Sequence, residues 1–248
     1  MDDEKLLSGR FRELSSRAAA RDCITYSEFL TLAEQSLLKS QKYDADVTLD
    51  GGTECAERRI AVFSGKDCCY EEPSPIVCVR IRPVSSKYAE DLSHRDFLGS
   101  LIGLGIRREV LGDIIVHEKT GYLFCLDVIS DFVCRELTKV RHTDVECCVI
   151  DAPPENSVSL PPVSRIVVSS ERLDAIVSAV FKISRSESQK LFSLCRVYVN
   201  GKNIESFTGA PASNDIISVR GLGRFIYEGI EYETKKGRLS SSVRIFPR

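Results

Sequence analysis

The spacing of apolar positions changes several times along the chain. Residues 4–21 are rich in strong helix formers and predict an opening helix. Behind Ser27, Phe29, Leu30, Ala33 and Leu37 repeat at helical spacing, which predicts a second helix capped by that serine. Residues 45–49 and 59–63 predict two strands around a loop containing Asp50-Gly51-Gly52. The stretch Glu71-Glu72-Pro73-Ser74-Pro75 is a break.

A more regular alternation follows. Strands are predicted over 76–82, 113–117, 122–126 and 145–150, with Lys119-Thr120-Gly121 as a turn. Helices are predicted over 96–104, ending near Gly103 and Gly105, and over 128–140. The order β-α-β-β-α-β is the split βαβ of ferredoxin-like and RRM-like domains. Residues 151–162 hold four prolines and read as a linker. The last unit starts near Arg165. Leu173, Ile176, Val177 and Val180 form one apolar helical face that opens at Arg172. Ser184 and Glu187 fit a capping box for a second helix running to about Cys195. Val197 and Val199 then alternate into Asn200-Gly201, a hairpin signal, and strands follow over 215–220 and 224–227. From about Lys235 the chain is basic, serine-rich and expected to be loose. The expected class is α+β: an N-terminal helix and hairpin region (1–70), a βαββαβ domain (73–152), a small C-terminal domain (165–234) and a basic tail (235–248).

Charge sharpens this division. The 248 residues carry 34 Lys+Arg and 36 Asp+Glu, a formal −2. From Arg165 onward there are 14 basic and 8 acidic residues, and before it 20 and 28, so a +6 unit follows a −8 body. That asymmetry argues against RNA coating the whole molecule and points the C-terminal unit toward a polyanion. The start Met-Asp-Asp-Glu has neither a basic nor an apolar segment, and no apolar run approaches the length of a membrane span. A cytoplasmic chain with no membrane partner is expected. Its ten cysteines then read as small core hydrophobes rather than a disulfide framework. With no C-x-x-C and three scattered histidines, no metal is expected.

Catalytic patterns fail on spacing. His94-Arg95-Asp96 matches a kinase catalytic-loop tripeptide, but Leu101 stands where the asparagine is needed. No P-loop, no G-x-S-x-G and no Gly-rich cofactor loop follows a strand, so no cofactor and no small-molecule substrate are expected. Arg185, Gln189 and Lys190 lie on the water side of the second tail helix, with Arg172 at the start of the first. Guanidinium groups beside helix ends suit phosphates, and ordinary solvated helix charges are the plainer alternative. Arg107-Arg108 is either a phosphate contact or a solvated turn. Tyr122 and Phe124 share a face of the third central strand, where base stacking or packing against a neighbour both remain open.

Residues 172–191, then Arg196-Val197-Tyr198-Val199-Asn200-Gly201-Lys202, then 215–225 resemble an S4 domain over about 60 residues. Residues 51–59 (GGTECAERR) and 94–114 (HRDFLGSLIGLGIRREVLGDI) resemble signature stretches of YlmH-type RNA-binding proteins, a group that includes the photosystem II S4-domain proteins. The resemblance implies a bacterial, non-enzymatic protein with an RRM-like centre and a C-terminal S4 domain. It implies structured rRNA or tRNA as partner, association with the large ribosomal subunit, and a role on stalled nascent-chain–tRNA complexes in ribosome quality control. By residue match it places RNA contacts at Arg172, Ser184, Arg185, Ser186, Gln189, Lys190, Arg196 and Lys202. Arg95, Arg107 and Arg108, read from their own positions and not from the family, are secondary candidates, each with a surface or solvated-turn alternative. Two positions depart from the S4 pattern: Ser193, where a basic residue is usual, and Cys195, where glycine is usual. An RNA-modifying enzyme with an S4 appendage and a cell-division-linked adaptor are the alternative functions.

Overall fold

The computed structural model describes residues 2–68, 73–154, 157, 160–235 and 237–246. Cys69, Glu71 and Glu72, part of the proline-rich linker and the final two residues lie outside that set. The protein is a mixed α/β chain of helices and antiparallel sheets that divides into two units, Met1–Ser159 and Leu160–Arg248.

The first unit opens with α1 (Asp2–Arg21), β1 (Ile24–Tyr26), α2 (Leu32–Lys39), β2 (Asp46–Asp50) and β3 (Ile60–Ser64). The strands form a sheet in the order β1-β3-β2. Phe11, Leu14 and Ala18, on one stripe of α1, pack with Leu38 and Phe63 to make its core. Ser27 does not cap α2. Its hydroxyl accepts from the Ala61 N–H and donates to the Glu28 carbonyl, and Leu30 bridges to Arg59 in extended backbone. The cap is Thr31, in a reciprocal box with Glu34. Helical spacing of Phe29 and Leu30 was therefore coincidental: both are buried, but from a strap.

Next come β4 (Ile76–Pro83), α3 (His94–Gly103), β5 (Leu111–His117), β6 (Thr120–Leu126), α4 (Ser130–Glu136), β7 (Lys139–Val140) and β8 (Thr143–Ile150). The sheet order is β5-β6-β4-β8-β7. Val79, Ile81, Leu123 and Cys125 face α3 and α4, meeting Phe97, Leu101 and Val133 in a single core. The helix expected over 128–140 stops at Glu136. Val140 pairs with Thr143 across a turn in which Arg141 has φ 53°, so β-branched residues favour a hairpin over another helical turn.

The second unit holds β9 (Val163–Val168), α5 (Leu173–Phe181), α6 (Arg185–Ser193), β10 (Val197–Val199), β11 (Lys202–Asn203), β12 (Asp215–Val219), β13 (Gly223–Glu233) and β14 (Leu239–Ile245). Its sheet runs β11-β10-β12-β13-β14-β9. Ile176, Phe192, Val197, Ile217 and Phe225 fill the space between helices and sheet. The tail expected to be loose is instead β14, inserted between β13 and β9, with Ser240, Ser241 and Ser242 buried. Serine hid the strand because it carries no apolar alternation, yet small side chains fit between two flanking strands.

Cys195, just past α6, has φ 53°. This left-handed conformation strains a residue with a Cβ, and glycine relieves it. Cys195→Gly is expected to raise stability by roughly 1 kcal/mol. The check is the urea midpoint followed by far-ultraviolet circular dichroism; a lower midpoint would mean that the exposed thiol makes a net packing contribution.

Candidate nucleic-acid interface

The apolar run of α5 is interrupted by one acid, Asp174, and the candidate interface is built on it. The side chain is 0% exposed. Arg172 donates to it through Nε (3.1 Å) and Nη2 (3.3 Å), Arg185 through Nη2 (3.0 Å) and Nε (3.3 Å), and Gln189 through Nε2 (2.7 Å). Burial by itself pushes the carboxyl up; the hydrogen bonds from Arg185, Gln189 and Arg172 outweigh it and hold Asp174 below the usual carboxylate range. The cluster is thus an ionised carboxylate under two guanidinium groups, formally +1. Ser188 Oγ donates to the Asp174 carbonyl at 2.9 Å and ties α6 to α5.

Three predicted residues from two helices therefore meet at one carboxylate. Arg172 and Arg185 remain 37% and 42% exposed, so each presents an outer edge. Arg172 also stacks over Phe207 at 5.4 Å, and Arg185 Nη1 reaches Ser169 Oγ at 3.3 Å. Beside them, Ser186, Gln189 and Lys190 line a groove of about 360 Å³ with Ser193, Glu205 and Phe207. Ser193 gives its hydroxyl to the Lys190 carbonyl, so the missing basic residue is replaced by a local hydrogen bond.

Other positions behave differently. The Ser184 hydroxyl is engaged in the capping box with Glu187. The start of α5 is not an open anion site: the Leu173 and Asp174 N–H groups donate to the carbonyls of Gly209 and Phe207. Arg196 and Lys202 are exposed on the hairpin side and share no hydrogen bond or ion pair with the Asp174 cluster among the described residues. Sequence reasoning missed Asp174, Phe207 and Arg220, which lies over the Tyr198 ring at 4.9 Å. A lone acid inside L-D-A-I-V-S-A-V was the available signal.

In the first unit the two signature stretches form an internal joint. The Asp113 carboxylate accepts from the Glu57 and Arg58 N–H groups at 2.6 and 3.2 Å. The Arg58 guanidinium donates to the carbonyls of Leu111, Phe29 and Arg108. Gly52, at φ +78°, lies so close to Phe124 that a Cβ would come within 2.6 Å of the ring. Gly112 lies equally close to Phe29, at 2.7 Å. Arg108 turns inward to the Leu111 and Gly112 carbonyls, and burial, aided by Arg58, pushes its pKa down to about 10. Arg107 pairs with Glu28. Of the three secondary candidates Arg108 is structural, Arg107 is held by an acid, and Arg95 is exposed on the first turn of α3. Ser93 and Asp96 form the capping box there, which accounts for the kinase-like tripeptide. Tyr122 and Phe124 are 7% and 3% exposed, so packing explains them and base stacking does not.

The fold thus defines a mixed α/β protein built on antiparallel sheets, with a basic two-helix face in its second unit. Residues 76–152 match the family model described as "Putative RNA-binding domain in YlmH". The "Ribosome-associated protein quality control protein P2" of Bacillus subtilis (strain 168) is 32% identical over 221 residues, covering 86% of this chain and 83% of the relative. The chain belongs to the YlmH family. A solved structure, "Cell division protein ylmH from Streptococcus pneumoniae", aligns with a TM-score of 0.49 at 20% identity over 63% of this chain and 95% of that one.

Proposed function

We propose that this protein is a non-enzymatic, cytoplasmic RNA-binding factor of ribosome quality control. Its second unit, read as an S4 domain, grips structured rRNA or tRNA on the large subunit carrying a stalled nascent chain. The first unit supplies an RRM-like scaffold, a reading supported by its β5-β6-β4-β8 strand order. The observation that carries the proposal is the Asp174 cluster, which orients two guanidinium groups before any ligand arrives. Preorganised bidentate donors suit phosphate and sugar contacts on folded RNA. The +6 charge of residues 165–248 and the ribosomal name of the Bacillus relative support the same reading.

The test uses side chains without a structural role. Labelled tRNA and a large-subunit rRNA hairpin would be titrated across salt concentrations. The binding constant is expected to fall steeply with salt, and Lys190→Ala and Lys202→Ala to shallow the log–log slope by about 1 each. Sedimentation of the tagged protein with large subunits should weaken in parallel. A flat salt dependence, or slopes unchanged in both variants, would remove this face from RNA binding.

A further inference from the structure

The first 164 residues carry a formal −8, and a cleft in the first unit gives that charge a use. A cavity of about 910 Å³ lies in the first unit, lined by the α1–β1 segment with its following strap and by the start of β4 and end of β6 near Pro73, Pro75 and Leu126. Its floor is apolar: Phe11, Phe29 and Leu30 are buried there, and Val77 and Leu126 form part of the far wall. At the rim stands Val128, which is 82% exposed.

The rim is acidic. Glu28, Glu34, Glu109 and Asp127 line the cleft against a single cation, Arg10. Arg10 is paired with Glu13, and Glu28 with Arg107, so both pairs are close to neutral. Glu34, Glu109 and Asp127 then remain, and none makes an ion pair among the described residues. Glu34 accepts from the Thr31 N–H and hydroxyl in the capping box of α2. Two half-buried cations, Arg58 and Arg108, sense these acids, Arg58 both Glu34 and Glu109 and Arg108 only Glu109, but both direct N–H groups at backbone carbonyls. A floor of aromatic and aliphatic side chains below a rim with four carboxylates and one cation is unfavourable to nucleic acid. It complements an extended segment that alternates apolar side chains with lysine or arginine.

We propose that this cleft is a docking site for a basic, apolar-studded peptide segment of a partner protein. The segment seats aliphatic or aromatic side chains on Phe29, Leu126 and Val128, and places its cations against Glu109 and Asp127. The volume lies near the upper end of the roughly 300–1,000 Å³ range of ligand pockets, enough for several side chains and too large for one ion. The site lies in the first unit and the Asp174 cluster in the second.

The test is selection of a displayed library of random ten-residue peptides against the full chain, followed by anisotropy titration of the enriched sequences. Enriched peptides should combine lysine or arginine with bulky apolar residues and bind one per chain. Glu109→Gln/Asp127→Asn is expected to weaken them roughly 10-fold, with the salt slope of RNA binding unchanged. Val128→Ser removes an apolar contact from a side chain that is 82% exposed, so the fold should be retained, and it should weaken the same peptides. Enrichment of acidic or neutral peptides, or binding unchanged in both variants, would overturn the proposal. So would dimerisation of the free chain that these variants abolish, since that would put a second copy in the cleft.

Discussion

Replacing Arg172 and Arg185 together by alanine is expected to destabilise the second unit by about 3–5 kcal/mol, because a fully buried carboxylate is left with Gln189 as its remaining side-chain partner. The single Arg185→Ala change should cost less, since Arg172 still covers one side of Asp174. Asp174→Asn in the double-alanine background should recover much of the loss by removing the stranded charge. Urea unfolding of the four proteins measures all of this, and a loss below about 1 kcal/mol in the double variant would show that Asp174 is solvated or protonated. Acid gives an independent check. Because the folded-state pKa of Asp174 is lowered, its contribution is complete above the unfolded carboxylate value of about 3.9 and disappears as pH falls through the folded value. Wild-type stability should therefore gain a component on raising pH from strongly acidic toward 4 that is missing in Asp174→Asn. The cluster also changes how RNA-binding variants are read: weaker binding by Arg185→Ala mixes a lost contact with a disturbed fold, whereas Lys190→Ala does not.

The second large effect lies in the first unit. Arg58→Ala is expected to cost the first unit roughly 2–4 kcal/mol, since three carbonyls at the joint lose a charged donor. Arg58→Lys should rescue little, because one ammonium cannot span carbonyls contributed by residues 29, 108 and 111. Thermal unfolding of the three proteins reads this out; full rescue by lysine would mean that charge alone, rather than the planar fork, holds the joint.

These two sites show what the chain discloses in one dimension and what it does not. The helix pair of the second unit was legible because its elements are local: a helical apolar face, a capping box and an Asn-Gly turn each lie within a few residues. Strands β1, β9 and β14 were not, because each is specified by a partner distant in sequence. β14 in particular is built from serines whose burial depends on β9, some 75 residues earlier. The basic residues of the candidate face could be picked from periodicity and family resemblance. Their shared anchor could not, since an acid in an apolar helix reads as a flaw until the opposing helix is in place. The signature stretches were the most distinctive residues in the chain. The structure uses them to join a strap to a sheet, so distinctive sequence here marks demanding backbone geometry.

The position of β14 has a consequence for how the molecule is made. Synthesis delivers the chain from its first residue, and domains tend to fold as they emerge. The first unit has every one of its strands once residue 150 is out. In the second, β9 is the earliest strand but pairs only with β14, the latest. Until residue 245 has left the exit tunnel, β9 has no neighbour and the sheet that backs α5 and α6 lacks its closing strand. A nascent copy therefore carries a finished acidic body well before it carries a finished basic face.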